Sequence, residues 1–321
     1  MNKGPSANAA PKTIEQSIGL VGAGRMGTGI GISLLRRHSE LHIKVNKNRF
    51  GADRLISAGA CEHTSIAELA QHASVVVLSL PSSREVETVC LDDDGLFVHM
   101  CRGGLIIDCT TSYPASTVAL AKEAQRRGLS FIDAPVTRSP EQAELGLLNA
   151  MVGSDATLFP VAERILAAFC ETVMHVGDVG QGHKLKLVYN SMTMGIAAVA
   201  AEVCQFADSL QIDLVTLRSL VGRGSTNSGI FQAFAAFLLG EKPDALAISI
   251  ANAAKDIECA VRLARESAVS VPVLDAAAQE FKLAVVAGKG ELTLPHLARS
   301  YVRHETGRQG FIATPHSIAS L

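Results

Sequence analysis

The chain lacks a charge excess, paired cysteines and any long unbroken apolar run, and each absence closes a class of function. Its 29 lysines and arginines against 31 acidic residues leave a net charge of -2. That is no electrostatic footprint for nucleic acid or an anionic membrane. The seven cysteines stand singly at 61, 90, 101, 109, 170, 204 and 259, with no CxxC pair and no Cys/His cluster along the chain. Neither a disulfide framework nor a zinc site is therefore expected, no metal is assigned, and a reducing, cytoplasmic compartment is the expected location. The first 16 residues hold no apolar stretch of signal-peptide length and read as a flexible leader. The best apolar run, Gly195-Ile-Ala-Ala-Val-Ala-Ala, is closed by Glu202, well short of the roughly 18 residues that argue for a membrane span.

What is present describes a globular chain with a large core. It has 321 residues, 48% of them apolar and 19% charged, and two domains are the natural expectation at that length. A short apolar strand, Ser17-Ile-Gly-Leu-Val21, runs into Gly22-Ala-Gly24-Arg-Met-Gly27 and then into a helical stretch ending near Arg37. Glycine spacing of the form G-x-G-x-x-G is weak alone, but between a strand and a helix it marks a dinucleotide site. The first glycine makes the tight turn, the second admits a pyrophosphate to the backbone, and the third lets helix and strand pack closely. The N–H groups and positive dipole end of that helix complete the phosphate site, so Gly22, Ala23, Gly24, Arg25, Met26 and Gly27 are assigned to the cofactor.

A second strand, Leu41–Val45, leads to Asn46-Lys-Asn-Arg49 where a ribose-binding carboxylate usually stands. Asn46 and Asn48 do not repel a 2′-phosphate, and Lys47 and Arg49 could pair with it, so NADP is preferred over NAD. A polar solvated turn would look the same. Apolar strands then alternate with helices: Ala73–Leu80, a helix from Ser83, Gly104–Asp108, a helix from Pro114, and Ser130–Asp133. Such alternation means a parallel sheet covered on both faces, with ligands past the carboxyl ends of its strands. Leu80, Pro81 and the Cys109-Thr110-Thr111 segment fall at such ends and are placed near the nicotinamide half of the cofactor.

After Asp133-Ala-Pro-Val-Thr-Arg-Ser139 come a strand at Leu148–Gly153, a helix from Ala156 to Cys170 and a strand at Val173–Val176. From His183 the pattern is helical to about Leu210, and beyond it the βα alternation stops, which puts a domain boundary near residue 180. Lys186 and Asn190, four apart, share one face of that helix. A lysine partly buried beside an amide can have its pKa drawn toward neutrality by desolvation and then exchange a proton with a substrate oxygen. A solvated lysine on a surface helix would give the same local pattern. A further helix, Ile248 to Glu266, carries Lys255-Asp256.

Four motifs in this order resemble the β-hydroxyacid dehydrogenase family. They are the glycine turn at Gly22–Gly27, Asp133-Ala-Pro-Val136, the G-x-G-x-x-x-K-x-x-x-N helix from Gly180 to Asn190, and Lys255-Asp256; the likeness spans about residues 17 to 305. Its relatives include 3-hydroxyisobutyrate dehydrogenase, tartronate semialdehyde reductase and the glyoxylate/succinic semialdehyde reductases. The resemblance implies a Rossmann-type, doubly wound α/β domain over 17–180 and an all-helical C-terminal domain over 181–306, joined by one long interdomain helix at about 183–210, with a loose tail at 307–321. It implies a homodimer or homotetramer, NAD(P) as cofactor and a small anionic hydroxyacid or semialdehyde as substrate. It also implies roles: Lys186 as catalytic acid and base, Asn190 holding substrate and orienting the lysine, Thr110 beside the nicotinamide, Lys255 closing over the cofactor, and Asp256 supporting the site.

The chain departs from the family after Val136, where Ser-Gly-Gly is replaced by Thr137-Arg138-Ser139. The expected substrate loop therefore contains an arginine, as sulfolactaldehyde reductases of the same family also do. Either Arg138 meets a larger anionic group such as a sulfonate or second carboxylate, or it turns outward, or it pairs with Glu141 or Glu144. Two other functions share the architecture, an imine reductase and a non-catalytic assembly module, and both generally lack the lysine that this chain keeps.

Overall fold

The computed structural model describes residues 17–38, 40–45 and 49–299. The assignments made to Asn46, Lys47 and Asn48, and to the two chain ends, lie outside them. The first half alternates strand and helix through β1 (Ile18–Val21), α1 (Arg25–Arg37), β2 (Leu41–Lys44), α2 (Arg49–Ser57), β3 (Cys61–Glu62), α3 (Ile66–His72) and β4 (Val75–Leu78). It continues through α4 (Ser83–Leu91), α5 (Leu96–His99), β5 (Leu105–Asp108), α6 (Pro114–Arg126) and β6 (Ser130–Asp133). The six strands order as β3-β2-β1-β4-β5-β6, all parallel. The apolar strands are explained by burial on both faces. Val75 and Val77 join Leu20, Ile43 and Ile107 on one side, while Val76 and Leu78 join Val21, Ile106 and Phe131 on the other.

The sheet then turns back on itself through β7 (Val136–Thr137), α7 (Pro140–Glu144), β8 (Leu148–Gly153), α8 (Phe159–Leu166) and β9 (Cys170–Gly177). β8 runs antiparallel to β6 and β7 and parallel to β9. The helix expected from Ala156 to Cys170 is shorter, because the chain turns after Leu166 and Cys170 already opens β9. Five residues expected as loop form α7: Ser139 and Gln142 make a reciprocal capping box and Pro140 starts the first turn.

From here the chain is helical, with α9 (Gln181–Ser209), α10 (Leu214–Gly222), α11 (Gly229–Leu238), α12 (Ile250–Glu266) and α13 (Pro272–Ala284). Buried positions on α9 recur at His183, Lys186, Leu187, Asn190, Met194, Ala197, Ala201 and Cys204, the three-and-four spacing of one helical face. That face meets Phe231, Phe234, Ile250, Ile257 and Phe281 in the second core. By length and composition α9 is apolar enough to cross a membrane, but its inward stripe carries three polar side chains and packs against α11, α12 and α13.

Candidate active site

The glycine turn sits where the strand order reverses, between β1 and β4, the usual mouth of a ligand crevice in such sheets. Gly22 has φ +101°, and a Cβ there would stand 2.3 Å from the Ser79 carbonyl oxygen. Gly27 presses on the turn from the helix side, since its Cβ would lie 2.0 Å from the Gly22 oxygen. Gly24 differs, for a Cβ built on it meets nothing within 4 Å. It is the N-cap of α1 and has no side-chain cap, so open space lies before uncapped helical N–H groups. These are the features that a dinucleotide pyrophosphate needs, and the residues present fit it.

The start of α9 is clamped to the far side of the same sheet edge. Asp133, the last residue of β6, accepts hydrogen bonds from the Gly180 N–H at 2.6 Å and the His183 N–H at 2.8 Å. A buried carboxylate at a helix N-terminus satisfies orphan donors and meets the positive end of the dipole. Gly182 allows this approach, because a Cβ there would be 2.3 Å from the Met151 oxygen and 2.8 Å from Asp133 Oδ2. His183 is fully buried; its Nε2 lies 2.9 Å from the Thr110 oxygen and its Nδ1 2.7 Å from the Thr117 hydroxyl. Nε2 is therefore the N–H donor to the carbonyl. Burial holds the imidazole below its ordinary pKa, against the pull of Asp133. Burial also raises Asp108 to about 6, although it accepts from the Thr110 N–H and the Ser112 hydroxyl.

One turn further along, Lys186 is only 8% exposed and donates to the Val136 oxygen at 2.8 Å. Its pKa is lowered to about 8, first by desolvation and then by the charge of Lys255, with Asp256 opposing. Asn190 donates from Nδ2 to Asp256 Oδ2 at 2.7 Å. The other oxygen of Asp256 lies 3.0 Å from Lys255 Nζ, near enough for attraction but at an angle that makes no hydrogen bond. Lys255 Nζ instead donates to the Pro81 and Thr111 oxygens at 2.8 and 3.1 Å. It thus ties α12 to the loops after β4 and β5, beside a cleft of about 470 Å³ lined in part by Ser82, Ser83 and Thr111. The Thr110 hydroxyl, buried, links the same two loops by accepting from the Leu80 N–H at 3.1 Å. A chain of contacts joins Lys186, Asn190, Asp256, Lys255 and Pro81, with Leu80 next to Pro81 bonded to Thr110.

In the loop after Val136 the side chains assigned to the substrate are engaged with other parts of the protein. Thr137 is buried, its hydroxyl accepting from Asn149 Nδ2 at 3.3 Å. Ser139 is spent on the α7 cap, where it accepts from the Gln142 N–H. Arg138 is exposed and engaged elsewhere: Nη1 donates to the Leu147 oxygen at 2.6 Å and pairs with Glu171 at 2.7 Å. Its partner is thus Glu171 rather than Glu141 or Glu144. Arg138 also has φ +85°, a backbone conformation that residues with a Cβ rarely adopt. Arg49 is likewise drawn elsewhere, with its guanidinium on Glu62 at 2.6 Å and Asp53 at 2.9 Å.

Three residues that position α9 were not singled out in the sequence: His183, Asp108 and the capping carboxylate of Asp133, which had stood only as a motif letter. A signal existed, since both aspartates end apolar strands (Ile-Ile-Asp108 and Phe-Ile-Asp133), where a charge in a buried run needs a partner.

Comparison with known proteins agrees with this geometry. Residues 17–177 match the NAD-binding domain of 6-phosphogluconate dehydrogenase, and residues 180–301 match the NAD-binding domain of NADP-dependent 3-hydroxyisobutyrate dehydrogenase. The chain is 28% identical over 282 residues to an NAD-dependent L-serine dehydrogenase of Pseudomonas aeruginosa, covering 86% of this chain and 94% of that one. It is 26% identical to the 3-sulfolactaldehyde reductase of Escherichia coli, over 85% and 92% of the two chains. The crystal structure of 3-hydroxyisobutyrate dehydrogenase from Salmonella typhimurium superposes with a TM-score of 0.80 at 23% identity, over 88% of this chain and 99% of that one, a likeness of fold. On these matches, with a glycine turn built for a dinucleotide, the chain belongs to the β-hydroxyacid dehydrogenase family of NAD(P)-dependent oxidoreductases.

Proposed function

We propose that this enzyme interconverts a small anionic β-hydroxyacid and its semialdehyde or keto form, with Lys186 as the proton donor in reduction and acceptor in oxidation. The observation that carries the reading is the burial of Lys186 against the Val136 oxygen with its pKa lowered to about 8. A group poised there passes a proton in either direction near neutral pH. When bound, the nicotinamide supplies or accepts the hydride. Gly22 to Gly27, with Leu80, Pro81, Thr110 and Lys255, would hold that cofactor. Asn190, itself fixed by Asp256, orients the lysine and the substrate oxygen, and the buried Thr137 hydroxyl beside Val136 holds the anionic end. The outward turn of Arg138 favours a substrate whose acid group is met by Thr137 and the loop backbone rather than by a guanidinium.

The division at about residue 180 into a cofactor domain and a helical domain belongs to the same reading. So does a homodimer or homotetramer, supported by the apolar side chains of Val188, Met192, Val199 and Phe206 exposed on α9. Seven unpaired cysteines support a reducing, cytoplasmic setting.

The test is steady-state oxidation of reduced nicotinamide against a panel of semialdehydes, with cyclic imines as controls. Lys186→Ala is expected to lower turnover by about 100-fold or more while the dissociation constant for NADPH stays unchanged. Loss of both together would make the lysine structural, and turnover of imines alone would make the enzyme an imine reductase.

A further inference from the structure

The far edge of the sheet gathers three imidazoles and a thiol that the reaction does not use. On β2, His42 stands in register beside Cys61 of β3. Strand alternation puts His63, two residues on, on the same face as Cys61. His42 and His63 are buried, Cys61 is exposed to solvent, and ligand atoms of the three lie within 4.8 Å of one another. The inner nitrogens, His42 Nδ1 and His63 Nε2, are 2.9 Å apart. The outer nitrogens each face a carboxylate: His42 Nε2 lies 3.4 Å from Glu40 and His63 Nδ1 3.4 Å from Glu68. His63 Nδ1 is buried and makes no hydrogen bond. On α3, His72 stacks over His63 with ring centroids 4.8 Å apart. Its Nδ1 lies 2.8 Å from the Glu68 oxygen, a contact that makes Nδ1 the donor and leaves Nε2 a lone pair.

Proton counting shows what this arrangement suits. A neutral imidazole carries one N–H. If the two rings share a single hydrogen between their inner nitrogens, one outer nitrogen must turn a bare lone pair toward a carboxylate. A cation in place of that hydrogen removes the conflict: both inner nitrogens become ligands and both outer nitrogens become N–H donors to Glu40 and Glu68. Carboxylates behind ligating histidines are the usual way a protein fixes their tautomer and raises their basicity.

We propose that His42, His63 and Cys61 bind a divalent transition-metal ion of the zinc class, with water in the fourth position. Two imidazoles and a thiolate are borderline-to-soft ligands, suited to zinc and cobalt rather than magnesium or calcium. The site lies on β2, β3 and α3, at the opposite end of the strand order from β8 and β9. It would act as a clip on the sheet's edge and not as part of the hydride chemistry.

The experiment is cobalt titration of the full, tag-free chain after chelator treatment, followed by absorption, with thermal unfolding in zinc, cobalt and magnesium. One equivalent of cobalt is expected to give a thiolate-to-cobalt charge-transfer band, which zinc abolishes by displacement. Zinc is expected to raise the melting temperature and magnesium to leave it unchanged. Cys61→Ser, at an exposed position, is expected to lose the band, to weaken zinc binding by at least the roughly ten-fold that even an outer partner's loss costs, and to keep full oxidoreductase turnover. His63→Gln is expected to weaken zinc likewise. No band in the wild-type chain, equal stabilisation by magnesium, or unchanged zinc affinity in Cys61→Ser would each overturn the proposal.

Discussion

The burial of Lys186 bears on both its proton affinity and the stability of the fold. Its ammonium is taken out of water and its pKa falls from 10.5 to about 8. Between those values the unfolded chain holds a proton that the folded chain has released, so stability rises with pH across that window. Below it the folded enzyme bears the full cost of a buried charge, roughly 3 kcal/mol for a shift of that size. Lys186→Met is therefore expected to unfold at higher denaturant concentration than wild type at pH 7 while losing turnover by about 100-fold. Chemical denaturation at several pH values checks this, and the gain should shrink as pH is raised beyond about 8. In the proposed mechanism the neutral amine is the base for oxidation, so turnover of the wild type in that direction should rise through a midpoint near the same pH. Arg138, held by Leu147 and Glu171, gives the opposite expectation. Arg138→Ala should leave the ranking of a substrate panel unchanged, as measured by kcat/KM.

At the scale of elements, two helix starts use glycine for different reasons, and the difference is measurable. Gly24 faces open space and has φ −67°, which alanine adopts without strain. Gly24→Ala should keep the melting temperature and weaken cofactor binding, read by fluorescence titration with NADPH. Gly182 is pressed against the Met151 oxygen and Asp133. Gly182→Ala should cost about 3 kcal/mol in stability, the upper range for an added methyl in a packed site. Asp133→Ala should behave like Gly182→Ala, because it leaves the buried Gly180 and His183 N–H groups without their acceptor. Both variants also release the helix that aims Lys186, so kcat should fall with stability.

The whole molecule is two cores on one long helix, and α9 is shared between them. Its inward stripe is used by the sheet at one end and by Phe231, Phe234 and Phe281 at the other. Its outward side leaves Val188, Met192, Val199 and Phe206 uncovered. A row of that kind is covered most simply by a second copy of the chain. Light scattering is expected to give a multiple of the 33.7 kDa chain mass, and Val199→Glu with Phe206→Glu to shift it toward the monomer.

What was legible in the sequence was the local and periodic part. Glycines at Gly22, Gly24 and Gly27, strands such as Val75–Leu78, and the spacing of Lys186 and Asn190 need only neighbours along the chain to be read. Short elements such as α7, β3 and α3 escaped because two to seven residues carry too little periodicity to separate helix, strand and loop. Tertiary structure alone decided where side chains go when the choice depends on distant partners. Arg138 turned to Glu171, and Asp133 met a helix 47 residues further on. His42 met Cys61 and His63, a Cys-x-His pair that the sequence reading passed over, by the pairing of β2 with β3. Periodicity fixes which face of an element is buried; only the packing of elements from far along the chain determines which charges and lone pairs meet there.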